Sequence, residues 1–220
     1  MTRQRLVVIG AGGFAREVKW LIKEINQADE KYQFLGYVVS DSGRLGDLDS
    51  KAEVLGDLSW LEHGDTDGLV IGIGTPEARF QVGCELQKKF PSLNWPALVH
   101  PSVRMDWETA NLGPGVILCA GTIGTVNITI RDFAMVNLAC TLGHECRIGM
   151  GSVLNPTVNI SGGVVIGDRV LIGTGAQVLQ YLKVGDNTIV GAGAVVSRDL
   201  PPNVIAVGMP AKPIKKREEN

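Results

Sequence analysis

Residues 112–201 read LGPGVI LCAGTI GTVNIT IRDFAM VNLACT LGHECR IGMGSV LNPTVN ISGGVV IGDRVL IGTGAQ VLQYLK VGDNTI VGAGAV VSRDLP, fifteen consecutive hexapeptides without insertion or deletion. Fourteen of the fifteen leading residues, from Leu112 and Leu118 to Val190 and Val196, are aliphatic, and Gly124 is the exception. The residue four places further on, from Val116 and Thr122 to Ala194 and Leu200, is small, apolar or hydroxylated throughout. A helix requires apolar residues every three or four positions, and a sandwich strand requires alternation broken by variable loops, so a fixed period of six excludes both. It predicts a parallel β-solenoid whose inner wall is the aliphatic position.

Glycine follows that position at 113, 143, 149, 167, 173, 185 and 191, where the backbone must turn without a Cβ clash. The pattern resembles the left-handed parallel β-helix of the hexapeptide-repeat acyltransferases. The resemblance implies three hexapeptides per triangular coil, so that residues eighteen apart stack. The repeat then makes about five coils, rising roughly 24 Å at about 4.8 Å per strand.

The remaining bulk properties narrow the partners. The chain has 220 residues, 45% hydrophobic and 20% charged, with net charge −2, which gives no signal for nucleic acid or a polybasic membrane anchor. Four cysteines, Cys84, Cys119, Cys140 and Cys146, lack any CxxC spacing, which suits a reduced, cytoplasmic protein. No apolar run approaches the roughly 18 residues of a membrane span, and no signal-peptide pattern opens the chain.

Outside the repeat, residues 5–10 read as a buried strand, followed by Gly10-Ala11-Gly12-Gly13-Phe14-Ala15 and a helical pattern through Trp20, Leu21 and Ile25. A strand, glycine turn and helix in this order bring backbone N–H groups and the positive helix end together, a setting for phosphate. The same turn also serves merely to pack helix on strand. A second strand, Phe34–Val39, ends in Ser40-Asp41, and a third, Leu69–Ile73, ends in Gly74-Thr75-Pro76-Glu77 with Arg79 behind it. Alternating strands and helices predict a parallel sheet with ligand at the strand carboxyl ends. About 96 residues precede the β-helix domain, enough for a half-Rossmann unit and too few for the two halves of a dinucleotide fold. The expected layout is a Rossmann-like α/β domain over 1–96, a β-helix over 97–201 and a tail over 202–220 ending in a frayed, charged Lys215-Lys216-Arg217. A helix is expected over 80–92, and His100 is expected to cap the open end of the solenoid.

His144, between Gly143 and Glu145, is the one histidine in the regular repeat. It lies two places after an inward residue, near a corner, so its ring faces outward. An imidazole titrates near neutrality and can take a proton from an attacking amine or hydroxyl, and an adjacent carboxylate fixes its tautomer. Eighteen residues on, Gly162 stacks above it with an N–H able to hold a thioester oxyanion, worth about 3 kcal/mol in acyl transfer. Asn137, on the adjoining side, is placed to hold a nucleophile or acyl group. The alternative reading of His144 is a surface histidine on a coil.

The series GxGGxA at the N-terminus, IGxGxxxxR at 71–79, HPS at 100–102, Asn137 seven residues before His144, SGG at 161–163, GAGAVV at 191–196 and GMPAK at 208–212 resembles the bacterial sugar O/N-acetyltransferases of the NeuD and PglD type. The resemblance spans nearly the whole chain. It implies a homotrimer with acetyl-CoA between neighbouring β-helices and a nucleotide-linked sugar, on UDP or GDP, on the N-terminal domain. His144 is then the general base, Glu145 its orienting carboxylate, Gly162 the oxyanion donor and Asn137 a substrate contact. The CoA arm passes Gly162, Gly173, Gly175, Gly191 and Ala192, where missing side chains leave room, toward Lys212 and Lys215. Gly10, Gly12, Gly13, Ser40, Asp41, Gly74 and Arg79 hold the sugar nucleotide, and no metal is implied. Relatives often carry Asp where this chain has Ser40, and some carry a second histidine where Val153 stands.

The implied activity is acetyl-CoA-dependent N-acetylation of a nucleotide-linked 4-amino-4,6-dideoxy sugar for surface glycan. O-acetylation of sialic acid or a related sugar uses the same groups. A zinc enzyme needs about three converging histidines, which the repeat lacks. A noncatalytic nucleotide-binding scaffold and an NAD enzyme remain as readings from other classes, separable by whether acetyl-CoA or NAD stabilises the fold.

Overall fold

A computed structural model describes residues 2–41, 43, 45–47 and 51–217. The N-terminal unit is a four-stranded parallel sheet of β1 (Gln4–Ile9), β2 (Tyr32–Val39), β3 (Val54–Asp57) and β4 (Gly68–Ile71), in the order β3-β2-β1-β4. Helix α1 (Gly13–Ala28) connects β1 to β2, and α2 (Pro76–Lys89) follows β4. Strand β3 carries no long apolar run and escapes a reading by periodicity. The second helix begins four residues before the expected 80, because Thr75 occupies the N-cap and Pro76 the first turn, where its missing N–H costs nothing.

The chain then winds as a left-handed parallel β-helix. Two-residue strands stack in three sheets, and partners such as Met135↔Val153, Thr141↔Asn159 and Arg147↔Val165 are eighteen residues apart, so one coil is three hexapeptides. The first face runs from Leu98–Val99 through Ile117–Leu118 and Val153–Leu154 to Ile189–Val190. The second runs from Ile123–Gly124 to Val195–Val196 and the third from Asn111–Leu112 to Lys183–Val184.

The inward aliphatic residues and those four places on form one continuous buried cluster. Inward hydroxyls are satisfied by carbonyls of neighbouring strands and corners: Ser152 Oγ donates to Gly167 O at 2.7 Å and Thr188 Oγ1 to Pro201 O at 2.8 Å. Gly124, the exception in the repeat, leaves a gap that Met105 fills, since a Cβ there would lie 2.7 Å from Met105 Cε.

The two units share a core. Outward residues of the first face (Leu98, Ile117, Met135 and Val153) pack in one cluster with Val18, Leu21, Ile22 and Ile25 of α1. Phe133, at a solenoid corner, is fully buried and lies edge-on to Trp95 at 5.1 Å. His100 does not cap an open end. Its Nδ1 accepts from the Ser102 N–H at 3.0 Å, which leaves Nε2 to donate to Glu24 of α1 at 3.1 Å and ties the first turn of the solenoid to the N-terminal unit.

Through Arg217 the tail is paired where a frayed terminus was expected, and residues 218–220 lie outside the described residues. Val204–Val207 continues the first face, Lys212–Lys216 pairs antiparallel with it, and the Arg217 N–H donates to Asn203 O at 2.8 Å. Pairing to an existing sheet edge supplies the hydrogen bonds that a charged peptide could not secure alone.

Candidate active site

Strands β2 and β4 lie on opposite sides of β1, so the strand order reverses between β1 and β4, where such folds bind ligands. Gly10 stands there with φ +101, and a Cβ on it would press on Gly72 O at 3.3 Å, so its glycine is required by backbone shape and by close loop packing. At Gly12, the N-cap of α1, a Cβ would meet nothing within 4 Å. The first turn of α1 carries no capping side chain and no acidic residue, so its N–H groups face an open space suited to an anion. Gly13, Gly74, Ser40 and Asp41 are exposed beside this opening at the strand carboxyl ends.

Arg79 requires a correction. Its spacing after the third loop suggests a nucleotide ligand, yet it is fully buried. Nη1 donates to Ile71 O at 3.0 Å and Ile73 O at 2.8 Å, and Nε donates to Phe133 O at 3.0 Å. Arg79, Gly83 and Leu86 share the inward stripe of α2, so helix phase turns this side chain away from the opening. It joins the end of β4 to the solenoid corner. Desolvation pulls its pKa down to about 9, which still leaves it charged at neutral pH.

On the solenoid, His144 projects from the edge between the second and third faces, half-exposed, with Nδ1 3.6 Å from Glu145 Oε2. Its ring lies directly on Gly162: a Cβ there would come within 2.5 Å of Cε1 and nearer still to Nε2. The Gly163 N–H donates to His144 O at 2.7 Å, which fixes the two coils in register. Among the described residues no acceptor pairs with the Gly162 amide, leaving a donor beside a base. That is the minimum for general-base acyl transfer, a proton acceptor next to an oxyanion donor.

Asn137 is not brought to this edge. It sits at the corner between the first and second faces, nine-tenths buried, with Oδ1 accepting from the Leu138 N–H at 2.8 Å. Below that corner a cleft of about 150 Å³ lies between α1 and the first face, lined by Phe14, Trp20, Glu24, His100, Cys119 and Leu138. Val153 is buried against the N-terminal unit.

The glycines expected to leave room for a CoA arm divide into two kinds. A Cβ at Gly173 would lie 2.5 Å from Ala192 N, and one at Gly191 would lie 2.8 Å from Val207 Cγ1, so these two are demanded by coil stacking and not by ligand space. Gly175, with φ +69, is not closed off by packing: a Cβ there would make only ordinary contact with Thr157 Oγ1 at 3.8 Å. Ala192 is exposed on the same edge, and Lys212 and Lys215 are exposed on the C-terminal strand. Tyr181, which the sequence reading passed over, stands beside His144 with ring centroids 6.4 Å apart.

No described helix is long and apolar enough to cross a membrane, and the described residues contain no group of three or more metal-ligating side chains.

Comparison with known proteins places these features. Residues 5–86 match the PglD N-terminal domain, and residues 163–198 match the bacterial transferase hexapeptide (six repeats). PerB from Caulobacter crescentus, solved with CoA and GDP-perosamine, is 31% identical over 96% of this chain and 97% of its own, with TM-score 0.83. WeeI from Acinetobacter baumannii AYE is 30% identical over 95% and 99%, with TM-score 0.81. The acetyltransferase domain of PglB from Neisseria gonorrhoeae FA1090, solved with acetyl coenzyme A, is 27% identical over 97% and 100%, with TM-score 0.83. Among curated proteins, the acyl-[acyl-carrier-protein]–UDP-N-acetylglucosamine O-acyltransferase of Burkholderia orbicola is 33% identical over 94 residues, 42% of this chain. The match spans 36%, about a third, of that relative's length.

Proposed function

Because this chain belongs to the sugar acetyltransferases that join a PglD-type N-terminal domain to a hexapeptide-repeat β-helix, we propose that it transfers acetyl from acetyl-CoA to the amino group of a nucleotide-linked sugar of the 4-amino-4,6-dideoxy type, for surface glycan. The observation that carries the reading is the His144 ring lying on the unpaired Gly162 amide, in a chain similar end to end to one solved with CoA and GDP-perosamine.

The neutral amine attacks the thioester carbonyl carbon while His144 Nε2 takes the proton the nitrogen sheds. The carbonyl oxygen becomes an oxyanion held by the Gly162 N–H, a donor worth about 3 kcal/mol. Collapse re-forms the C=O bond and breaks the C–S bond, and the proton on His144 passes to the departing CoA thiolate. Glu145, next to Nδ1, keeps Nε2 free to act as the base. No acyl-enzyme is needed, since both substrates are held in one groove.

Asn137 and His144 stand on opposite edges of the second face, so a site using both is built from two subunits. A homotrimer turning the second face inward brings the His144 edge of one copy to the Asn137 edge of the next. Ile123 on that face, and Leu138, Val126 and Leu179 along its edges, are exposed apolar residues that such an assembly covers. The nucleotide's phosphates lie at the Gly10–Gly13 turn and the α1 N-terminus, with Ser40, Asp41 and Gly74 around the nucleoside. The CoA arm runs past Gly175 and Ala192, with Lys212 and Lys215 near its phosphates. Four free cysteines suit the reducing cytoplasm.

The test is incubation of the protein and acetyl-CoA with UDP-, GDP- and dTDP-linked 4-amino sugars and with sialic acid, with products read by mass spectrometry and mild alkali. An alkali-stable acetylated nucleotide sugar supports the reading. An alkali-labile ester, or transfer to sialic acid alone, replaces it with O-acetylation.

A further inference from the structure

We propose that Tyr181 is a specificity-determining residue of the acyl site, restricting the transferred group to a short one; this rests on the acetyl-transfer reading above. Its ring lies over Gly163, where a Cβ would come within 2.7 Å of Cε1 and nearer still to Cδ1. The adjacent Gly162 carries the His144 ring in the same way. The Gly162-Gly163 pair is therefore a floor on which the two rings lie side by side, 6.4 Å between centroids and 62° between planes. The Gly162 amide, which has no acceptor among the described residues, lies in this floor. A thioester whose oxygen reaches that amide has its carbonyl carbon between the base and the phenol ring, so the ring limits the space beside the reacting carbon.

Neither packing within one chain nor backbone shape accounts for an aromatic residue at 181. The side chain is exposed, with 69% of the residue's surface open to solvent, so it adds little to the solenoid core. The backbone is left-handed, φ 61, as at the same corner position in other hexapeptides, where Gly163, Gly175, Gly193, Asn127 and Asn187 stand but so do Phe133, Ala139, Glu145, Thr157 and Arg169, so the corner admits many side chains and does not itself select an aromatic one. Glycine and asparagine accept that conformation readily and tyrosine does so under strain. The Tyr181 N–H donates to Gly162 O at 2.9 Å, which sets where the ring leaves the coil whatever the side chain. An exposed ring that the coil's register holds beside the base is placed to touch whatever binds there.

The experiment compares kcat/KM for acetyl-CoA and butyryl-CoA, with one amino-sugar acceptor, in wild type, Tyr181→Gly and Tyr181→Phe. Glycine suits the backbone, so Tyr181→Gly is expected to melt no lower than wild type, which removes misfolding as an explanation. Removing the ring is expected to raise the butyryl-to-acetyl ratio at least about tenfold, within the range by which apolar pockets discriminate methylene groups. Tyr181→Phe is expected to keep the wild-type ratio. A ratio within about twofold of wild type in Tyr181→Gly overturns the proposal. So does a rise in KM for both thioesters at unchanged ratio, which would assign the ring to the CoA arm instead. If wild type transfers acyl from neither thioester to any amino sugar, the function proposed above is what fails.

Discussion

Replacing Gly162 by alanine separates catalysis from stability at a single methyl group. The new Cβ would lie 2.5 Å from His144 Cε1 and closer to Nε2, while ordinary contact begins at 3.4 Å. The ring must withdraw by about 1 Å, a misplacement that costs roughly 100-fold in rate, or about 2.7 kcal/mol of transition-state stabilisation. The fold tolerates the change, because Gly162 does not need a left-handed backbone and the half-exposed His144 ring can swing into solvent. Thiol release from acetyl-CoA, followed with the acceptor present, is therefore expected to fall about 100-fold in kcat while the melting temperature moves by less than about 2 °C. Gly143→Ala is the contrast: its Cβ would strike backbone, 2.6 Å from Ser161 C, and should lower the melting temperature directly. Wild-type rates in Gly162→Ala, or a loss of activity that merely follows a loss of stability, would refute the placement of His144 over an oxyanion donor.

Three further outcomes follow from the same geometry. Arg79→Met strands three carbonyls that the guanidinium now satisfies and should cost about 3 kcal/mol of stability in urea unfolding. Glu145→Gln should slow transfer by less than about tenfold, since the pair is 3.6 Å apart and half-exposed; a larger loss in kcat would give the carboxylate a bigger part. Burial pushes the Cys119 and Cys146 thiols up to about 12 and Cys140 up to about 11, above the ordinary 9. These thiols ionise first in the unfolded chain, so the stability they confer is complete below pH 9 and is lost as pH rises toward 11 to 12. Melting curves of wild type against Cys146→Ala across that window should converge as pH climbs.

The solenoid was legible because its period is enforced at every coil: an inward residue must be aliphatic each sixth place, and Gly124 could depart only because Met105 fills the gap. The pairing of His144 with Gly162 followed from the same arithmetic, since stacked residues are eighteen apart. Arg79 misled because an arginine behind a ligand-facing loop reads as a ligand. The warning was present in the apolar company of Gly83 and Leu86 on its helical stripe. The glycines at 173 and 191 misled for a related reason, as the absence of a side chain does not say whether backbone or ligand fills the space. Strand β3 and the paired C-terminal strand, Lys212–Lys216, owe their existence to neighbouring edges, which a local pattern does not record. Tyr181 escaped because it lies 37 residues after His144, between the positions that simple stacking highlights.

The most direct test of the account is acetyl transfer to the best nucleotide-linked amino sugar, measured side by side for wild type and His144→Ala at saturating substrates, with acetyl-CoA binding followed separately. General-base catalysis contributes roughly 10²- to 10⁴-fold, so the variant is expected to bind acetyl-CoA as wild type does and to form the amide at least about 100 times more slowly. Amide formation by His144→Ala at close to the wild-type rate would contradict it.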